Sequence, residues 1–287
     1  MNLISILIAL VVETLYKPVS DYRRYDWLLD SSTKIYHRLS GQSWRDGPLG
    51  LILMVVLPCF GVWLIASMLA GVAGLFSFLF GLLVLVYCIG PKDLLDDVKK
   101  FTDALQADDA DAARHYAGEI LGQDVTGDAI SLAQRVKENI PVIANTRVLG
   151  VLFWFMLMGP VGAILFRYVC LLYHQGGWSS GFSMALERLY EIMIWPSARL
   201  SVTGFALTGS FVDTVSNWQS SADFWQRNSE ELLRVSGIGA VRHELDEPPE
   251  EGQPDIEGVQ NVLALMKRTL IVWLAILALL TLTGLVL

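Results

Sequence analysis

Several things are scarce in this 287-residue chain, and each scarcity removes a class of function. Charge is low: Asp, Glu, Lys and Arg make up 17% of residues, below the roughly 25% of an ordinary soluble domain. What charge there is sums to −8, with no basic excess to hold a nucleic acid. Cysteine is nearly absent. Cys59, Cys88 and Cys170 all fall inside apolar runs, which argues against a disulfide framework or a zinc site and for plain packing. The four histidines (His37, His115, His174, His243) show no ligand spacing. No glycine-rich phosphate loop occurs, and no catalytic triad, metalloprotease helix or Cys-His pair can be assembled.

Apolar length is what the chain has in plenty. Mean hydropathy is +0.47. Residues 269–287 read TLIVWLAILALLTLTGLVL, uncharged throughout and preceded by Lys267-Arg268. At about 1.5 Å per residue such a stretch just covers a hydrocarbon core of roughly 30 Å. The basic pair suits a headgroup surface. The fold class expected is therefore all-α, a polytopic helical bundle in a membrane with about four to five spans and a small helical cytoplasmic portion.

The organisation expected along the chain has six parts. Residues 1–48 hold an apolar first helix, interrupted by Glu13 and lacking the marks of a cleavable signal, and then a segment rich in Lys, Arg, Trp and Tyr suited to a membrane surface. Residues 49–90 are two apolar runs joined at Ala70-Gly71, a transmembrane hairpin. Residues 91–147 are polar, with helices expected over 105–121 and 128–139, and their lysines place them in the cytoplasm. Residues 148–215 are apolar but interrupted by Gly159-Pro160-Val161-Gly162, a broken transmembrane or re-entrant region. Residues 216–268 are a polar segment whose part 237–258 reads as an acidic, proline-rich linker, and 269–287 is the last span. Crossing parity leaves two arrangements open: either 148–173 re-enters on one face, or 198–212 crosses back.

Ionisable groups inside apolar segments cost several kcal/mol unless paired, which makes them functional suspects. Glu13, Arg167 and Arg199 are such groups. Snorkelling, structural pairing and interfacial anchoring are the competing explanations for them. Asp93, Asp96 and Asp97 offer hard oxygen ligands for a divalent cation, against the plainer reading of a solvated helix start.

From about 105 to 211 the chain resembles the family shared by AmpE and the cobalamin-pathway proteins CobD/CbiB. The resemblance lies in residues 109–114 (DADAAR), Gln123-Asp124 with Thr126-Gly127, Leu152-Phe153-Trp154, Gly159-Pro160-Val161-Gly162-Ala163 leading to Phe166-Arg167, and Trp195-Pro196-Ser197-Ala198-Arg199-Leu200. For the synthase branch it implies ATP- and magnesium-dependent joining of an aminopropanol phosphate to cobyric acid as an amide. Several polar positions of that branch differ here. Gln123 stands for its arginine, Ala144-Asn145 for a Glu-Asn pair, and Cys170 and Tyr173 for Asn and Asp; its early Gly-Asp-Pro has no counterpart after Glu13. These losses favour the AmpE branch: a regulatory inner-membrane protein linked to inducible β-lactamase expression and cell-wall recycling, sensing a ligand without catalysis. The resemblance implies multi-pass residence in a bacterial inner membrane, partners in cell-wall recycling, and an anionic or nucleotide-like ligand with magnesium as a possible companion. Asp124, Asn145, Arg147, Arg167, Trp195 and Arg199, with Glu13, are the ligand-binding candidates, and the alternative is a surviving ATP/Mg-dependent amide synthase.

Overall fold

A computed structural model describes residues 5–9, 25–38, 46–72, 74–89, 94–212, 214, 225, 227–241 and 252–282. Among them it contains ten α-helices and no strand. They are α1 (Asp26–Arg38), α2 (Pro48–Val72), α3 (Gly74–Cys88), α4 (Leu94–Gln106), α5 (Ala110–Leu121), α6 (Ala129–Ala144), α7 (Gly150–Gln175), α8 (Ser180–Thr208), α9 (Ser229–Val241) and α10 (Ile256–Leu282). A π-helical turn, Asn145–Leu149, joins α6 to α7. Among the described residues three stretches are long and apolar enough to cross a membrane: Pro48–Gly71, Ala129–Gln175 and Ile256–Leu279; Gly74–Cys88 is a shorter apolar helix. The protein is a polytopic helical membrane protein. The chain divides into two compact units, each considered by itself.

The first unit is residues 1–91, 146–197 and 284–287. Here α2 and α3 pack on each other and both pack on α7. The outward face of α2 is almost wholly apolar, with Leu57, Phe60, Trp63 and Met68 more than half exposed. Such a face is stable only against lipid. The aromatic segment before α2 contributes α1, which is held at its start by Tyr25, whose hydroxyl donates to the Tyr87 carbonyl at 2.6 Å. Ser32 shares a hydrogen bond with Tyr168 of α7 at 2.5 Å.

Helix α7 is not straight. Gly159 has φ 64° and ψ −149°, a backbone state open to glycine and closed to ordinary L-residues. Pro160 follows and removes a donor. A Cβ at Gly162 would run into the carbonyl of Trp154, and the Arg167 guanidinium reaches the Thr146 carbonyl at 3.4 Å. On a straight helix, 21 residues would separate those groups by about 30 Å. The helix therefore folds back on itself at Gly159.

The second unit is residues 92–145 and 198–283. Helices α4, α5 and α6 pack in succession, and α6 lies against α9 and α10. The continuous helix expected over 105–121 is instead two helices. Asp108 takes φ 54°, and Asp109 turns its carboxylate onto the Ala112 N–H at 3.0 Å to cap α5. Local capping by aspartate wins here over helical spacing. Helix α5 ends at Gly122, whose φ of 70° gives a left-handed cap. Asp128 caps α6 through the Ser131 N–H, and these hydrogen bonds hold its carboxyl below its ordinary pKa. The linker expected from Gly237 starts later, because α9 runs to Val241 and buries Gly237, Gly239 and Ala240. Close packing explains this: a Cβ at Gly237 would clash with the Pro141 ring of α6. Helix α10 begins at Ile256, well before the uncharged run from Thr269. It is tied to α6 by a Lys137–Asp255 ion pair of 2.6 Å that is only 13% exposed on either side.

Candidate functional site

Of the sequence-derived candidates, Arg147, Arg167 and Trp195 belong to the first unit and Asp124, Asn145 and Arg199 to the second. Arg167 is 7% exposed. Its guanidinium donates to the Thr146 carbonyl and lies 4.9 Å over the Tyr25 ring. Its Nε has no hydrogen-bond partner. Burial raises the Tyr25 hydroxyl pKa, and the neighbouring Arg167 charge pulls it back part of the way. A buried cation with an unpartnered N–H is one donor short of satisfied, and guanidinium suits a phosphate or carboxylate oxygen. Neither Tyr25 nor the Thr146 carbonyl was foreseen from sequence.

Arg147 occupies the π-helical turn beside Thr146 and is half-buried. Turns of this type put an extra residue into a helix and are frequent at functional positions. Asn145 opens the same turn and is fully buried. Trp195 is 37% exposed on α8.

Arg199, in the second unit, is 6% exposed. It donates to the carbonyls of Arg227 at 2.8 Å and Trp225 at 3.5 Å, and to the Ser229 hydroxyl. Asn228 caps the start of α9 by accepting from the Glu230 N–H at 3.0 Å. Arg199 thus clasps the segment that leads into α9. Interfacial anchoring was the plainer expectation for Arg199; its partners here are backbone carbonyls and a hydroxyl that sequence cannot reveal.

Asp124 is exposed and lies in an open depression of about 770 Å³ in the second unit. Asp111, Arg114, His115, Glu119 and Gln123 line it with Asp124. The spacing of Asp111, Arg114, His115 and Glu119 on α5 puts them on one helix face, a signal that could have been read from the sequence. Arg114 is paired with Asp111 at 2.8 Å.

Of the proposed cation ligands, Asp96 pairs with Lys100 at 2.9 Å, which raises the lysine pKa, while Asp97 is buried at 7% exposure. Glu13 and Asp93 lie outside the described residues. Among the described residues no group of three or more His, Cys, Asp or Glu is arranged to hold a metal ion. Magnesium is commonly held by one or two carboxylates with substrate phosphates and water completing the shell. A site of that kind is compatible with Asp124 and Glu119.

Where the synthase pattern has other polar groups, the side chains here are packed away. Cys170 is 1% exposed and Ala144 6%. Tyr173 stacks on Tyr190 with ring centroids 4.0 Å apart.

These features define a helical membrane protein with two arginines buried within helices and a polar depression lined by α5. Residues 6–233 match the family described as CobD/Cbib protein. The chain belongs to the CobD/CbiB family. It is 24% identical over 269 residues, 87% of each chain, to the cobalamin biosynthesis protein CobD of Stutzerimonas stutzeri. It is 24% identical over 163 residues to the protein of the same name from Chromobacterium violaceum, covering 55% of this chain and 52% of that one. No solved structure matches. The AmpE side of the resemblance gains no support from these matches, both of which carry the cobalamin name.

Proposed function

We propose that the protein is a bacterial inner-membrane, ATP- and magnesium-dependent amide-forming synthase of the CobD/CbiB type, acting in cobalamin biosynthesis. The observation that carries this reading is the similarity to a protein of that name across 87% of both chains. Asp124, Arg167 and Arg199, which belong to the shared motifs, are retained. ATP supplies the driving force for joining a carboxylate to an amine, and magnesium screens its phosphates. On this reading Asp124 and Glu119 hold the metal with its nucleotide, and Arg114 and His115 steady the phosphates.

A second reading is a ligand sensor without catalysis, of the AmpE kind, with partners in cell-wall recycling. A specific observation favours it: the positions that carry acid, base or amide groups in the synthase pattern hold Ala144, Cys170 and Tyr173, and the first two are buried. Amide synthesis needs groups that move protons.

Growth complementation separates the two. Expression in a cell lacking its own CobD protein, supplied with a late corrinoid precursor, restores cobalamin-dependent growth if the first reading holds. Failure of a membrane-inserted, correctly folded protein to do so, with induction of β-lactamase altered on its deletion in its own host, overturns the first reading and leaves the second.

A further inference from the structure

We propose that α7 is a re-entrant hairpin, entering and leaving the bilayer on one face with its tip among the acyl chains, rather than a single crossing. The stretch Ala129–Gln175 has the length and hydropathy of a span, and the sequence alone leaves re-entry and crossing both open. Three observations within the first unit oppose it. The chain reverses at Gly159, where φ is 64° and ψ −149°. The two arms meet again at their base, where Arg167 reaches the Thr146 carbonyl at 3.4 Å. That base is level with the end of α3, because Tyr25 lies under Arg167 and donates to the Tyr87 carbonyl at 2.6 Å.

The arms are also too short to cross. From Thr146 to the tip is 13 residues, about 20 Å of helix against a hydrocarbon core of roughly 30 Å. Phe155 packs on Gly81 in the middle of α3, so the ascending arm lies alongside an apolar helix. The tip carries Leu157, 62% exposed, and Met158, 50% exposed. Two large apolar side chains presented on a turn, above buried Phe155 and beside the lipid-facing α2–α3 hairpin, fit acyl chains as their occupant. Arg167 then sits at the hairpin base, where a cation is far cheaper than at the midplane.

Parity agrees. Lys137 and Asp255 form an ion pair, so these two positions share one face of the membrane. The chain between them must cross an even number of times. A hairpin in α7 contributes no crossing, and α8 is not among the helices long and apolar enough to span.

The test uses the full chain in sealed vesicles of known orientation, with Cys59→Ala, Cys88→Ala and Cys170→Ala as background. Single cysteines are placed before the hairpin (Gln134→Cys), after it (His174→Cys and, separately, Gln175→Cys) and at its tip (Leu157→Cys). With a membrane-impermeant maleimide, the residues before and after the hairpin label from the same side. A nitroxide on the tip cysteine is relaxed by oxygen and shielded from a nickel chelate. Labelling of positions 134 and 174 or 175 from opposite sides, or a tip nitroxide open to the nickel chelate, overturns the proposal.

Discussion

Replacing Arg167 by methionine removes the base of the α7 hairpin while keeping most of the side-chain volume. Two interactions are lost: a hydrogen bond from a charged donor to the Thr146 carbonyl at 3.4 Å and a cation over the Tyr25 ring at 4.9 Å. The first kind contributes about 1.5–3 kcal/mol when buried, and the second ~0.5–2 kcal/mol. Burying a guanidinium with an unpartnered Nε offsets part of that. A net loss of about 2–3 kcal/mol follows, or a Tm lower by roughly 5–10 °C for a chain of this size. The assay is thermal unfolding of the detergent-purified protein, with Tyr25→Leu and the double variant completing a cycle. Coupling between the two sites of about 1 kcal/mol is expected because they are in contact. A melt of Arg167→Met within about 1 °C of the parent, under the same conversion, would refute this and make the arginine a ligand contact alone.

Four further outcomes follow from named contacts. Gly204→Val forces a side chain onto Thr269 Cγ2, 2.7 Å from where its Cβ would sit, and onto Trp273 Nε1 at 3.3 Å; overpacking there costs about 1–3 kcal/mol, read as a lower Tm. Asp109→Ala removes the cap of α5 and costs about 1 kcal/mol, seen as faster amide exchange at Ala112. Asp255→Asn breaks a pair only 13% exposed on each side and leaves Lys137 with an unmatched charge, a loss of about 3 kcal/mol visible in thermal unfolding. Asp128 has a carboxyl pKa lowered by its Ser131 hydrogen bonds, so its contribution is complete above the ordinary carboxylate pKa and disappears as pH falls through the lowered value. Exchange at the first turn of α6 therefore accelerates on acidification, and Asp128→Asn flattens that dependence.

The membrane class, the α2–α3 hairpin and the polar helices between residues 91 and 147 were legible because hydropathy and charge are properties of single residues summed along the chain. The Gly159-Pro160 break was legible too, with a re-entrant hairpin as one of the two arrangements it left open, but the choice between them was not. Glycine and proline announce a bend; whether the arms close depends on Arg167 meeting a backbone carbonyl 21 residues earlier, and carbonyls have no letter in a sequence. Arg199 repeats the lesson, since its partners are the carbonyls of Trp225 and Arg227. The break between α4 and α5 was hidden by good helical spacing across it, and the extension of α9 to Val241 by glycines that read as a loop but serve close packing on Pro141. Family membership was legible in the order of several weak motifs. The choice of branch rested on missing polar residues, and it is there that the matches with CobD proteins point the other way.

The synthase reading is tested most directly by mass spectrometry of the products formed by the purified protein in proteoliposomes, given magnesium-ATP, a corrinoid carboxylate and an amino-alcohol phosphate. The synthase reading predicts an amide joining the two substrates, dependent on ATP and lost in Asp124→Asn. No amide from protein that is folded and binds magnesium-ATP would contradict it and leave a ligand sensor built on the CobD/CbiB fold.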